Sequence, residues 1–418
     1  MRYALSLAVV ACFSSAALAS GVPDQVARSA LEKAPIWDGH NDVPEQLRER
    51  RKNVLDGFDF RDTTATADPA QERVAMHTDL VRLRQGKVGA QFWSVYISAG
   101  LSEPEAVQAT IEQIDVTKRL IARYPDRLQL ATTAAEVEKA MKAGKIASLI
   151  GMEGGSSIGS SLAVLRQMHA LGARYMTLTH SRNTPWADSG TDAPVHAGLT
   201  DFGRDVVREM QRIGMLVDLS HVSADTMRDA LEVARAPVIF SHSGAQAVNA
   251  HPRNVPDDVL ARLKANGGIV MVDFVPGYVS EADRAWNAAQ RAEKARADAI
   301  HVGDPAGAKA ALEAWEVSHP RPGATVGQVA DHVEHVIRVA GIDHVGIGGD
   351  YDGVDALPTG LEDVSKYPAL FTELARRGYS ARDLAKIANG NMMRVMKAAE
   401  AYVATRRNDP PIESPTRF

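Results

Sequence analysis

The chain has 418 residues, enough for one large α/β barrel or for two ordinary domains. Apolar residues make up 45% and charged residues 24%, an ordinary globular balance that excludes a disordered chain. The net charge is −5 and no basic domain stands out, so no nucleic-acid partner is expected.

Residues 1–19 read as a signal peptide rather than as fold. Arg2 gives a short positive start, residues 4–17 are apolar and small, and Ala17-Leu18-Ala19 supplies the small-x-small pattern before a cut. The apolar run is too short to favour a membrane anchor. The expectation is export, to the periplasm, with no transmembrane segment after signal removal. Val9-Val10-Ala11-Cys12 also resembles a bacterial lipobox, which would put a lipid on Cys12. The apolar stretch before Cys12 is very short, so this reading ranks second. Cys12 is the only cysteine, and a cut after Ala19 leaves none. Disulfides then cannot staple the exported protein. A large core must hold it, and any metal site must use His and carboxylates.

Short apolar runs recur along the rest of the chain and read as buried parallel strands. They cover 34–42, 88–96, 146–153, 175–180, 216–221, 237–242, 268–274 and 344–350. Helical patterns lie between most of them, at 104–124, 161–171, 202–213, 224–234, 256–265 and 328–340. This alternation predicts a closed (β/α)8 TIM-like barrel over residues 20–418. A doubly wound sheet is the alternative, but no glycine-rich dinucleotide fingerprint supports it. Residues 281–320 are rich in Ala, Glu, Arg and Lys, with Trp286 and Trp315 among them. They read as a helical insertion after the seventh strand, a solvated excursion rather than a partner site. Residues 406–418 hold three prolines and little apolar content, a loose or surface-draped tail.

Chemistry gathers at the strand ends. The first strand ends Asp38-Gly39-His40-Asn41-Asp42. Alternation points His40 and Asp42 the same way, so both can grip one metal. A lone His-x-Asp is weak, but barrel active sites sit on this face. The third strand ends in Glu153, followed by Gly154 and Gly155. A carboxylate there is costly unless paired or metal-bound; alone, an N-cap or salt bridge is an equal reading. The fifth strand ends Ser220-His221 and the sixth Ser241-His242. One buried His is more often a satisfied core residue, but two at equivalent strand ends are hard to explain as packing. The fourth ends in His180, which could complete the metal set or contact substrate. The eighth leads into Gly348-Gly349-Asp350; Asp350 shares the rim, with turn chemistry as its bland alternative. Such imidazoles and carboxylates suit zinc and neighbouring divalent ions. They are too many for one metal, and two metals sharing one carboxylate would use them well. Glu153, between the two groups, is assigned as the bridge.

These stretches resemble the membrane dipeptidase (renal dipeptidase) family of the amidohydrolase superfamily. The matching motifs are Asp38-Gly39-His40-Asn41-Asp42, Ile150-Gly151-Met152-Glu153-Gly154-Gly155, the run from Thr177 to Asp188, and Asp218-Leu219-Ser220-His221-Val222-Ser223. Ala236 to His242, Arg253 to Asp258, Gly348 to Gly353 and Gly360 to Val364 continue the match in order across residues 35–400. The resemblance implies two zinc ions, one on His40 and Asp42, the other on His221 and His242, bridged by Glu153. His180 would contact the scissile region and Arg253 the substrate carboxylate. Asp350 would lie near the substrate amine and move protons. It further implies hydrolysis of dipeptides by a metal-bridged hydroxide, often with a D-residue accepted at the C-terminal position, and β-lactam opening in some members. Dimers are common in the family, so a homodimer is among the implications. Animal members carry a lipid anchor and disulfides, and this chain shows no pattern for either. The aromatic expected straight after Phe274 is absent, and Tyr278 is the candidate to contact substrate in its place. The long 281–320 stretch could lie over the pocket and narrow its specificity.

Two rivals stay open on the sequence. Other amidohydrolase-type barrels act on lactones, phosphotriesters or cyclic amides, and many bridge their metals with a carboxylated lysine where Glu153 stands here. A metal-dependent periplasmic receptor that has lost catalysis is the other, and the intact rim with Asp350 argues against it. Arg253 also has a bland reading, as a brace for the loop before the 256–265 helix.

Overall fold

The computed structural model describes residues 13–413 and Pro415. Cys12, with the rest of residues 1–12 of the expected signal, lies outside the described residues. Nine parallel strands form one sheet. They are β1 (Ile36–Asn41), β2 (Val88–Tyr96), β3 (Leu128–Leu130), β4 (Ile146–Glu153) and β5 (Ala173–Thr177), followed by β6 (Leu216–Asp218), β7 (Ile239–Phe240), β8 (Ile269–Val272) and β9 (Val345–Ile347). The order runs β2-β1-β9-β8-β7-β6-β5-β4, and β2 pairs again with β4. That pairing closes eight strands into a (β/α)8 barrel. The ninth, β3, pairs with the start of β4, Leu128 opposite Ile146, and β5 takes over from Ile150. Three residues are too few for a periodic signal, and the sequence reading passes over β3.

Alternation along the strands builds two separate cores. Ala147 and Leu149 of β4 pack inside the barrel, whereas Ile150 and Met152 pack outward against the helices. Trp37, Phe92, Tyr175, Leu216, Ile239 and Met271 fill the same interior. Each such side chain contributes about 1.5–3 kcal/mol on burial. Glycine 151 also faces inward, and the Tyr175 ring occupies the space its Cβ would take. Gly151→Ala is therefore expected to lower stability by about 1–3 kcal/mol through overpacking. It should also displace a ring that hydrogen-bonds His40. A thermal midpoint equal to wild type would contradict this packing.

The helices predicted from sequence form within about two residues of their expected bounds. Glu103–Arg123 starts on a Ser102–Glu105 capping box, and Val326–Ala340 on one made by Thr325 and Gln328. The sequence reading did not include the C-terminal helix Asn391–Thr405. Its Met392, Val395, Met396 and Ala399 join the interior cluster and help close the barrel on the side away from the strand ends. After β8, Pro276–Val279 leads into a hairpin of Glu281–Ile300 and Pro305–Ser318. Arg321 clamps its base by two 2.7 Å bonds to fully buried Asp283. The tail is tied down at Ile412, whose N–H donates to Glu209 and whose carbonyl accepts from Arg166. No helix among the described residues is long and apolar enough to cross a membrane.

Candidate metal centre

The strands end earlier than the sequence suggests, and this places the chemistry. β5, β6, β7 and β9 stop at Thr177, Asp218, Phe240 and Ile347. His180, His221, His242 and Asp350 therefore sit on the first residues of the loops, free of strand alternation. His221 has φ +67° and Asp350 φ +56°, left-handed values that non-glycine residues rarely adopt. Such strain persists where the surroundings enforce it, often at functional sites. β1 reaches the rim another way. Its pairing with β2 slips between Asp38 and Asn41, so three steps on β1 match two on β2. The irregularity breaks the simple alternation expected for His40 and Asp42, yet the two still converge. Glu153 alone follows plain alternation, inward after Ala147, Leu149 and Gly151.

The side chains meet around the Glu153 carboxylate. Oε2 lies 3.3 Å from His40 Nε2 and accepts from Ser94 Oγ at 3.0 Å. Oε1 lies 2.9 Å from His221 Nε2, 3.4 Å from His242 Nε2 and 3.8 Å from His180 Nε2. One carboxylate thus divides its oxygens between two groups. On the His40 side, Nε2 is 3.3 Å from Asp42 Oδ2 and 3.9 Å from Asp350 Oδ1. Ligand atoms about 2.0–2.1 Å from one tetrahedral zinc stand about 3.3 Å apart. The observed spacings are close to that.

Supporting hydrogen bonds fix the imidazoles for this role. Ser241 Oγ donates to Asp218 Oδ2 at 2.6 Å and lies 2.8 Å from His242 Nδ1. With its one proton given to Asp218, Ser241 accepts from Nδ1–H, which leaves the Nε2 lone pair of His242 free. Tyr175 OH is 2.9 Å from His40 Nδ1 and 3.4 Å from the Gly39 carbonyl, the same arrangement for His40. Asp218 also takes the backbone N–H groups of Ser220 and Ser241, and Ser220 Oγ takes that of His242. This explains the repeated Ser-His: each serine braces the second strand end.

A cation fits the residues present. His221 Nε2 and His242 Nε2 face each other at 2.9 Å, a spacing that suits a shared proton or, with both lone pairs free, a shared cation. His40 Nε2 and Asp42 Oδ1 are buried with no hydrogen-bond partner among the described residues. Burial holds the His221 and His242 imidazoles well below the usual histidine value, keeping them neutral. Burial also lifts Asp42 to about 6, and burial with the Glu153 charge lifts half-buried Glu45 to about 8. Burial, then the Asp42 charge, pushes Asp350 well above the carboxylate range. This crowding of acids is the mark of a site built for positive charge.

The structure brings the nine sequence-predicted residues to one end of the barrel. His180 packs edge-on against Tyr96, ring centroids 4.8 Å apart. Arg253 is fully buried, donates from Nη2 to the His242 carbonyl at 3.3 Å, and keeps Nε and Nη1 without partners among the described residues. Its guanidinium lies 5.3 Å from the centre of the Tyr278 ring. Sequence reasoning missed Glu45, Ser94, Tyr96, Tyr175, Asp218 and Asp273. Ser94 and Tyr96 carried a signal, since they stand at the C-terminal end of the apolar run 88–96, on the rim where barrel sites gather.

Metal retention should depend on pH with a definite sign. The metal-binding form needs Asp42 ionised and the imidazoles neutral, so protons compete with the metal. Affinity should fall as pH drops below neutral, because burial lifts Asp42 above the usual carboxylate range and, against the opposing effect of its own burial, Tyr175, Glu153 and Asp42 hold His40 well above the usual histidine value. Dialysis at about pH 5 followed by elemental analysis should show metal loss that neutral buffer does not cause. Equal retention at both would contradict the ligand set.

The family model for membrane dipeptidases, peptidase family M19, matches residues 24–409. An uncharacterised dipeptidase of Schizosaccharomyces pombe is 40% identical over 405 residues, covering 94% of this chain and 87% of its own. Dipeptidase 3 of Macaca fascicularis is 41% identical over 393 residues, covering 93% of this chain and 70% of its own. Among solved structures, a metallopeptidase of Rhodobacter sphaeroides liganded with a phosphinate mimic of the dipeptide L-Ala-D-Ala superposes with a TM-score of 0.71. It is 24% identical and covers 88% of this chain and 99% of its own.

Proposed function

The chain belongs to the membrane dipeptidase family, and from that premise we propose that it is an exported two-zinc dipeptidase that tolerates a D-residue at the C-terminal position. The observation that carries this reading is the Glu153 carboxylate, with one oxygen toward His40 and the other toward the His221–His242 pair. His40 and Asp42 would hold one zinc, His221 and His242 the other, with Glu153 shared. Two zinc ions so held would supply Lewis acidity and lower the pKa of a bound water to about 7.

The chain's own residues divide the remaining work. Arg253 offers Nε and Nη1 to the substrate's free carboxylate as a two-pronged pair. Tyr278, over that guanidinium, bounds the same corner. His180, its imidazole kept neutral by burial, donates to the carbonyl oxygen as negative charge develops there. With cations in place to offset the burial and the Asp42 charge that hold it above the carboxylate range, Asp350 would be ionised, take the proton of the attacking water and pass it to the leaving amine. Fixing the carboxylate at one end and the amine near Asp350 at the other limits the substrate to two residues.

The test is hydrolysis of L-Ala-L-Ala and L-Ala-D-Ala by one purified sample, before and after chelation. The mimic bound by the Rhodobacter structure makes the second substrate an apt choice. Cleavage of both, lost on chelation and restored by zinc, is the expected result. A zinc-loaded protein inert on both would overturn the reading.

A further inference from the structure

An acid on the inner wall of the barrel has no part in this scheme. Asp273 directly follows β8, where Ile269 and Met271 face the interior and Val270 and Val272 face the helices. Alternation carries Asp273 inward at the catalytic end. It is fully buried, and neither carboxylate oxygen has a hydrogen-bond partner among the described residues. Burial pushes it up to about 7, and the charges that act on it are Arg253, which opposes that rise, and Asp350, which adds to it. Arg284 and Arg291 of the hairpin act on His251 instead. A buried acid left without donors is costly; Arg253 acts on it through charge, with no ion pair between them among the described residues, and keeps two nitrogens unused.

Charge counting shows what this arrangement does. In the free protein, Arg253 offsets Asp273 in its ionised form, which burial leaves as only part of the population near neutral pH. A substrate carboxylate on Arg253 leaves two anions sharing one cation. An acidic side chain on the C-terminal residue would make three. A basic side chain would restore the balance, and a neutral one would leave it unchanged. The interior screens these charges weakly, so the effect does not require direct contact.

We propose that Asp273 makes this corner charge-selective, favouring dipeptides with a basic or neutral C-terminal side chain over those with an acidic one. The proposal rests on the dipeptidase reading above. Its test measures kcat/KM for Ala-Lys, Ala-Gln and Ala-Glu with zinc-loaded wild type and Asp273→Asn. Wild type should favour Ala-Lys over Ala-Glu by about tenfold or more. Asp273→Asn should narrow that ratio to about threefold or less, chiefly through KM for Ala-Glu. A wild-type ratio near one overturns the proposal without any variant, as does a ratio unchanged in a folded Asp273→Asn. The same dipeptides are also titrated calorimetrically into both proteins. Binding that favours Ala-Lys, with no cleavage of any dipeptide, would sink the dipeptidase reading and keep the role of Asp273. Equal cleavage of all three would do the reverse.

Discussion

Glu153→Gln is expected to lower hydrolysis by about 10³-fold or more and to release metal from both halves of the centre. The amide keeps the volume of the carboxylate and can still accept from Ser94 through its oxygen. It cannot keep the charge. Its NH2 group must also face one of the two imidazole groups that the carboxylate oxygens now face, 3.3 Å on the His40 side and 2.9 Å on the His221 side. One half then meets a donor where it needs a ligand, and both lose a shared anion. A change confined to His221 should instead empty one half only. Elemental analysis and rate measurements on the variant decide the matter. Two metals retained at near wild-type rate would mean that Glu153 is an ordinary buried acid.

Asp350→Asn should produce a different signature. It should keep both metals while kcat falls by about 10²–10⁴, the usual worth of a positioned acid–base group. KM should change little, because the amide still fills the site. The geometry makes this a real choice. His40, Asp42 and Asp350 each offer an atom within 4.8 Å of the others, a set that could also hold one metal together. Loss of one metal in Asp350→Asn would make Asp350 a ligand and would remove the proton shuttle from the mechanism. The left-handed backbone at Asp350 is compatible with either role, so the metal count decides.

Much of the site could be read from the chain because barrels gather the ends of all their strands on one rim. Glu153 is the clearest case. It sits in phase with Ala147 and Leu149, so period-two alternation alone carries it inward. His221 and His242 were legible as twin Ser-His ends, though the reason for the serines was not. That reason is Asp218, which binds Ser241, and Ser220, which reaches across to the backbone of His242. The β1 irregularity at Asp38–Asn41 depends on pairing with β2, about 50 residues away, and leaves no local pattern. Tyr175 reads as an ordinary apolar strand residue until closure brings its hydroxyl to His40, 135 residues earlier. The closing helix Asn391–Thr405 has Met and Val where a surface helix would also have them, and only the barrel's open end explains them. Asp273 was invisible for a further reason: its interest lies in the bonds it lacks.

The most direct test of the two-metal reading is a crystal structure of the zinc-loaded protein with anomalous scattering recorded at the zinc edge. The account predicts two peaks about 3.5–4 Å apart on either side of the Glu153 carboxylate, one against His40 and Asp42 and one against His221 and His242. A single peak, or peaks that leave Glu153 untouched, would contradict it.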